Sequence, residues 1–138
     1  MSPETLGSHG AIVANTAALA SLVPVALYQL GAIPHLPDPP LPLFDSDRIT
    51  QSQTAHPFGI PDSLLGIASY TVTLVLLIEA PRSPLIRKLA AMKLMADGGM
   101  AAANAVRQVV VFKKVCSWCL VTAAATGAML FTGRRYLR

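Results

Sequence analysis

Two cysteines, Cys116 and Cys119, are the only thiols in the chain. They stand as Cys116-Ser117-Trp118-Cys119, where a basic stretch with Lys113 and Lys114 gives way to an apolar one. On a helix, positions i and i+3 share a face, so the pair can close a disulfide across a first turn with Cys119 about 4.5 Å deeper along the axis. A helix N-terminus preceded by two lysines favours thiolate over thiol, and thiolate is the reactive form. The spacing leaves three readings open: a redox-active dithiol, two small packing residues, or half of a zinc site. A structural zinc would want further Cys or His, and the only histidines are His9, His35 and His56.

The elements that must position this pair read as membrane spans. Of 138 residues, 53% are hydrophobic and 13% charged, and the mean hydropathy is +0.52. Long apolar blocks in this proportion fit a polytopic membrane protein better than a soluble domain. The net charge of +4 does not point to nucleic acid, because the basic residues cluster at block ends, where they act as topology signals. The N-terminal Met1-Ser2-Pro3-Glu4-Thr5 has no Lys or Arg, so the first block is expected to be a retained span and not a cleaved leader.

Four spans are predicted, at about 10–33, 62–80, 89–112 and 115–133 of a single domain covering 1–138. Pro24 interrupts the first and predicts a kink. Between Pro34 and Pro61 seven prolines punctuate a polar segment, which predicts one long loop with no more than a turn or short helix. Asp62 or Ser63 is placed to cap the second helix, which stops at Pro81. The third block is the least apolar, and its Lys93 and Asp97, four apart on one face, can neutralise each other. The Gly98-Gly99 pair and the Ala101-Ala102-Ala103 run favour close helix contact. Arg82, Arg87, Lys88, Lys93, Arg134, Arg135 and Arg138 fall on one side of this topology, and Arg48, Arg107, Lys113 and Lys114 on the other. The bias puts both termini inside and the proline-rich loop and the cysteines outside.

Two motifs together resemble the vitamin K epoxide reductase family. Val115-Cys116-Ser117-Trp118-Cys119-Leu120-Val121-Thr122 is similar to the start of that family's last, catalytic helix. Phe58-Gly59-Ile60-Pro61-Asp62-Ser63-Leu64-Leu65-Gly66, followed by Tyr70, resembles the start of its second helix. The resemblance implies an all-α membrane protein, a four-transmembrane-helix bundle with one long extracytoplasmic loop between helices 1 and 2. The bundle would surround a quinone of the ubiquinone or menaquinone type. It also implies that Cys116 exchanges with an outside cysteine, that Cys119 faces the quinone, and that Asp62 lies near a quinone oxygen, where relatives commonly carry Asn. Phe58 would cover the pocket or close the loop over the bundle, and Trp118 would touch the ring or anchor the helix at the interface. His56 is a candidate proton shuttle or a solvated loop residue, and Tyr70 reads as packing.

Departures from the family pattern shape the remaining expectations. Relatives commonly carry a second cysteine pair on the first loop, and Pro34 to Pro61 contains none. That loop is shortened between Phe44 and Phe58, and Ala123 stands where some relatives have a tyrosine. These differences weigh against vitamin K epoxide itself as substrate. With no internal relay, the expected partner is a thioredoxin-like or other dithiol protein on the extracytoplasmic side, and the expected location is a bacterial inner membrane. The expected activity is thiol:quinone oxidoreduction supporting disulfide formation. The alternative is a non-catalytic membrane subunit of the same fold, holding a partner through its loop with the cysteines as a static staple.

Overall fold

A computed structural model describes residues 3–137. Four long helices carry the fold: α1 (Pro3–Gln29), α3 (Asp62–Glu79), α4 (Pro84–Arg107) and α5 (Ser117–Thr132). A short α-helix, α2 (Ser46–Thr50), and two 3-10 turns, Gln53–Ala55 and Pro57–Gly59, lie in the loop between α1 and α3. Among the described residues there is no strand, only an isolated parallel bridge between Phe44 and Val115.

Helix boundaries follow local chemistry more closely than hydropathy. The apolar run of the first block reaches Ile33, yet α1 ends at Gln29, because Gly31 adopts φ 82°. The Gly31 and Ala32 amides then close onto the Tyr28 and Leu27 carbonyls at 3.0 and 2.8 Å. That double closure is a Schellman stop, open to glycine because it has no Cβ to clash in the left-handed region. Helix α1 runs through Pro24 without interruption. Pro84 occupies the first turn of α4, where its missing N–H costs nothing. At its far end α4 widens into a π-helical turn, Gln108–Phe112, which Lys113 terminates at φ 53°.

The long helices form a ring in which α1 packs on α3 and α5, and α4 packs on the same two from the opposite side. Ala11, Ala14 and Ala18 bring α1 close to its neighbours around Tyr70, Leu77, Leu94 and Met129. A Cβ on Gly98 would stand 2.5 Å from Leu130 Cδ1, so this glycine sets how near α4 lies to α5.

Polarity is distributed inside out. Asn15, Ser21, Thr73, Asp97, Gln108, Thr122 and Thr126 are buried, while Val13 and Val23 on α1, Val72 and Val75 on α3, Met92 and Met95 on α4 and Phe131 on α5 are exposed. An apolar exterior around a polar interior is the arrangement a lipid solvent demands. Two segments, Ser8–Gln29 and Asp62–Arg82, are long and apolar enough to cross a bilayer by length and composition; α5 is apolar but shorter.

Within the third block, Lys93 Nζ meets Asp97 Oδ1 at 2.5 Å. The pair is extended across to α3, where Lys93 donates to Ser69 Oγ at 2.7 Å and Thr73 Oγ1 at 2.8 Å, and Thr73 donates to Asp97 Oδ2 at 2.6 Å. Every polar group of the cluster therefore has a partner, which is what allows a charge pair to stay buried.

Candidate active site

Cys116 and Cys119 are joined as a disulfide at the start of α5. Cys116 is the helix N-cap, and its Sγ accepts the Cys119 amide at 3.1 Å. Its own amide donates to Gln108 Oε1 at 3.1 Å, so the π-helical turn of one element fixes the first residue of the next. The two sulfurs live in different surroundings. Cys116 is 0% exposed, whereas Cys119 is partly exposed and lines a cavity.

That cavity, of about 440 Å³, lies inside the ring of helices under the residues Ile49, Thr50, Thr54 and Pro57 of the loop. Its volume falls in the range of small-molecule sites. Asp62, Arg107, Gln108 and Cys119 stand at its loop end, and Ser69 and Asp97 lie deeper, about 10 Å further along α3 at 1.5 Å per residue. Ala123 is also on the wall. Tyr70, read from sequence as packing, both lines the cavity and hydrogen-bonds Thr126 Oγ1 at 2.5 Å.

Asp62 is oriented by Gln29, the last residue of α1. Gln29 Nε2 donates to Asp62 Oδ1 at 3.1 Å and to the Thr50 carbonyl at 2.7 Å, while its Oε1 accepts from Ser63 Oγ. One amide side chain thus ties α1, the loop and the start of α3 together at the cavity mouth. The sequence offers Asp62 or Ser63 as the cap of α3; neither is, since Pro61 precedes the first turn, no side chain caps it, and both residues bond to Gln29 instead.

On the loop side, the segment Pro37–Ser46 bonds to the residues flanking Cys116, from Lys114 and Val115 to Ser117 and Trp118. Asp38 accepts the Ser46 amide at 2.9 Å, Ser46 Oγ at 2.5 Å and Ser117 Oγ at 2.6 Å. Burial alone would raise the Asp38 carboxyl, but the hydrogen bonds from Ser117 and Ser46 outweigh it and hold the group below its ordinary value. Beside this latch, Val115 exchanges backbone bonds with Leu43 and Asp45 at 2.9 and 3.0 Å, and Lys114 Nζ donates to the Pro42 carbonyl at 2.6 Å. Trp118 Nε1 donates to the Pro37 carbonyl at 2.8 Å, and its ring packs on Val25, Tyr28 and Leu36.

Of the five residues singled out from sequence, the structure therefore brings Cys119 and Asp62 to the cavity and Cys116 just behind it. Trp118 faces the covering segment and does not line the cavity, because its indole N–H is committed to Pro37. Phe58 does not line it either: its backbone is left-handed at φ 56°, its side chain is fully exposed, and Pro57 occupies the wall in its place. His56 Nδ1 bonds to the Ser52 carbonyl at 3.0 Å and steadies the loop. Four residues not assigned to the site from sequence belong to it by geometry, namely Gln29, Asp38, Arg107 and Gln108. Among the described residues no cluster of three or more His, Cys, Asp or Glu is placed to hold a metal.

Helices around a polar interior, apolar outward faces and a disulfide with one sulfur on a ligand-sized cavity define a membrane-type redox fold. Residues 10–133 match the model of the vitamin K epoxide reductase family. The chain belongs to that family, and with membership come a membrane setting and the oxidoreductase class. No curated protein and no solved structure matches the chain.

Proposed function

We propose that this protein is a membrane-embedded thiol:quinone oxidoreductase that takes electrons from a dithiol protein outside the membrane and delivers them to a quinone. The observation that carries this reading is the division of the disulfide. Cys119 opens on the cavity beside Asp62, and Cys116 lies against the loop on the other side. In this reading all four long helices cross the bilayer, the termini lie inside, and the loop faces outward from a bacterial inner membrane. The exposed apolar residues on each helix and the charge bias support that arrangement.

The cavity residues fit a quinone. Asp62 and Arg107 offer polar contacts at the mouth, aliphatic side chains such as Leu22, Val25 and Leu120 line the walls, and Cys119 stands among them. A quinone bound there supplies the two-electron, two-proton sink that returns the dithiol to a disulfide. The protein's own steps occur at sulfur. A partner thiolate attacks Cys116 Sγ, the Cys116–Cys119 bond breaks, and Cys119 leaves as thiolate. The partner's second thiol then displaces Cys116, so the partner is oxidised and the pair is reduced. Gln108 holds the Cys116 backbone through this exchange, and Asp62 can hold a proton next to the cavity.

The family's loop cysteine pair has no counterpart here, since Cys116 and Cys119 are the only cysteines. The partner therefore delivers its electrons directly to Cys116, or a thioredoxin-like protein serves as shuttle. Turnover of a dithiol peptide with a soluble quinone by the purified protein tests the reading. The variant Cys119→Ala should lose quinone reduction, and a partner peptide whose second cysteine is replaced should accumulate as a mixed disulfide on Cys116 of the oxidised wild-type protein; normal turnover by Cys119→Ala would refute the mechanism. The complete burial of Cys116 favours one competitor, a non-catalytic subunit with a static staple. A reduction potential below about −300 mV together with no quinone reduction would support that competitor.

A further inference from the structure

We propose that Arg107 takes up the negative charge that develops on the bound quinone's oxygen as electrons leave the cysteine pair. This inference rests on the quinone reading and names a charge-holding residue within it. Arg107 lines the cavity with Asp62, Gln108 and Cys119, so it shares the wall with the cysteine that donates. Among the described residues it takes part in no ion pair. Its Nε is buried with no hydrogen-bond acceptor, and its one bond, from Nη1 to the Thr54 carbonyl, is long at 3.5 Å.

A buried N–H donor without an acceptor, here Nε of a partly buried arginine, is costly to keep, and sites keep such groups where charge will arrive. Asp62 on the same wall forms no ion pair with the arginine, and its Oδ1 is held by Gln29. The local backbone supports a dedicated placement. The α-helical ladder of α4 ends at Arg107, and the π-helical turn that follows begins at Gln108, so both polar residues of this part of the wall stand at the junction of the two. Single π-helical turns of this kind occur often at functional sites.

The redox balance assigns complementary roles. Oxidation of the Cys116–Cys119 dithiol forms one S–S bond and releases two electrons and two protons, all of which end on the quinone as its hydroquinone. Were electrons to reach a bound quinone before protons, negative charge would fall on ring oxygen. Arginine does not release its proton in proteins, so it stabilises that charge without acting as the acid. Asp62 is the group on the same wall able to pass a proton.

Binding of two naphthoquinones to the oxidised, purified protein tests this without turnover. A hydroxynaphthoquinone, ionised at neutral pH, presents an anionic ring oxygen, and a methylnaphthoquinone presents the same ring uncharged. Titration calorimetry should show Arg107→Gln losing about tenfold or more in affinity for the anionic probe, as expected on losing a charge-assisted hydrogen bond, with the neutral probe changed less than about threefold. Arg107→Lys should keep part of the preference for the anion. If Arg107→Gln binds both probes as the wild type does, the assignment to Arg107 is overturned while the quinone reading stands. Failure of the wild-type protein to bind either probe overturns both. Should the Gln variant lose both probes through misfolding, the Lys variant decides: retained anion preference supports the proposal, and a ratio equal for the two probes overturns it.

Discussion

Replacing Asp38 by alanine should make Cys116 reactive toward thiols and phosphines that reach it slowly in the wild-type protein. Cys116 is fully buried, and the neighbouring segment Pro37–Ser46 is tied to α5 through the Asp38 carboxylate, which accepts from Ser117 Oγ across the contact and from the Ser46 amide and Oγ within the segment. The carboxylate is partly exposed, and only its bond from Ser117 must break when the segment lifts; taken at the low end for a charged acceptor, that bond contributes about 1.5 kcal/mol. At 1.4 kcal/mol per decade its loss raises the open population about tenfold. The Trp118, Lys114 and Val115 contacts remain, so the segment opens more often without being lost.

The assay is the rate at which a water-soluble phosphine reduces the disulfide, quenched with a bulky maleimide and read as a gel shift. Asp45→Ala is the control, because the Asp45 side chain caps α2 through the Arg48 amide and does not touch the latch. The sign with pH follows from the lowered Asp38 carboxyl. Its closed-state stabilisation is full above the ordinary carboxylate value of 3.8 and is lost as pH falls through the lower value of the closed form. The rate ratio of Asp38→Ala to wild type should therefore be largest near neutrality and shrink toward unity as the solution is acidified below about pH 4. A ratio within about twofold of unity at neutral pH, against the tenfold derived from the Ser117 bond, would show that this segment does not control access to Cys116.

Two further outcomes follow from groups deeper in the bundle. Lys93→Met or Asp97→Leu alone strands a buried charge and should destabilise the detergent-solubilised protein by about 3–5 kcal/mol, while the double variant recovers most of the loss; equal melting temperatures for wild type and single variants would contradict the buried pair. Gln108→Leu removes the acceptor of the Cys116 amide, and an unpaired buried N–H costs about 1–3 kcal/mol. Because Gln108 orients the disulfide, kcat should fall about tenfold with KM for quinone little changed; a rise in KM alone would place Gln108 in ligand binding instead.

The parts of this architecture written in local chemistry were legible from sequence, and the parts written in tertiary pairing were not. The Cys116–Cys119 spacing places both residues on one helical turn, and the family resemblance carried by residues 58–66 and 115–122 holds over residues 10–133. The Lys93–Asp97 pair followed from i,i+4 geometry. Gln29 could not be read as an Asp62 ligand, because it ends an apolar block and its partners lie 21 and 33 residues away. Asp38 meets Ser117 across 79 residues, and neither its type nor its spacing announces that contact. Phe58 and Trp118 show the limit of aromatic residues as markers of a ligand. A left-handed backbone turned the first outward, and a single indole hydrogen bond turned the second toward the loop. Arg107 and Gln108 stood among the polar residues of the least apolar block, and Gln108 begins a π-helical turn that side-chain periodicity does not encode.

With two cysteines in the chain, every electron pair in the proposed reaction passes through one disulfide, and that bond must be reachable from two directions without serving both at once. The structure separates the directions by different means. Toward the helices, Cys119 meets a preformed cavity that a flat apolar ligand can occupy with little rearrangement. Toward the loop, Cys116 is closed off by backbone and side-chain hydrogen bonds that break only as the covering segment lifts. Small thiols gain nothing from lifting it and are excluded by the energy of opening, whereas a protein partner can offset that energy with contacts to the exposed loop. Selectivity for a protein electron donor then arises from the latch, and the same closed segment keeps the reduced pair for the quinone once the donor has gone.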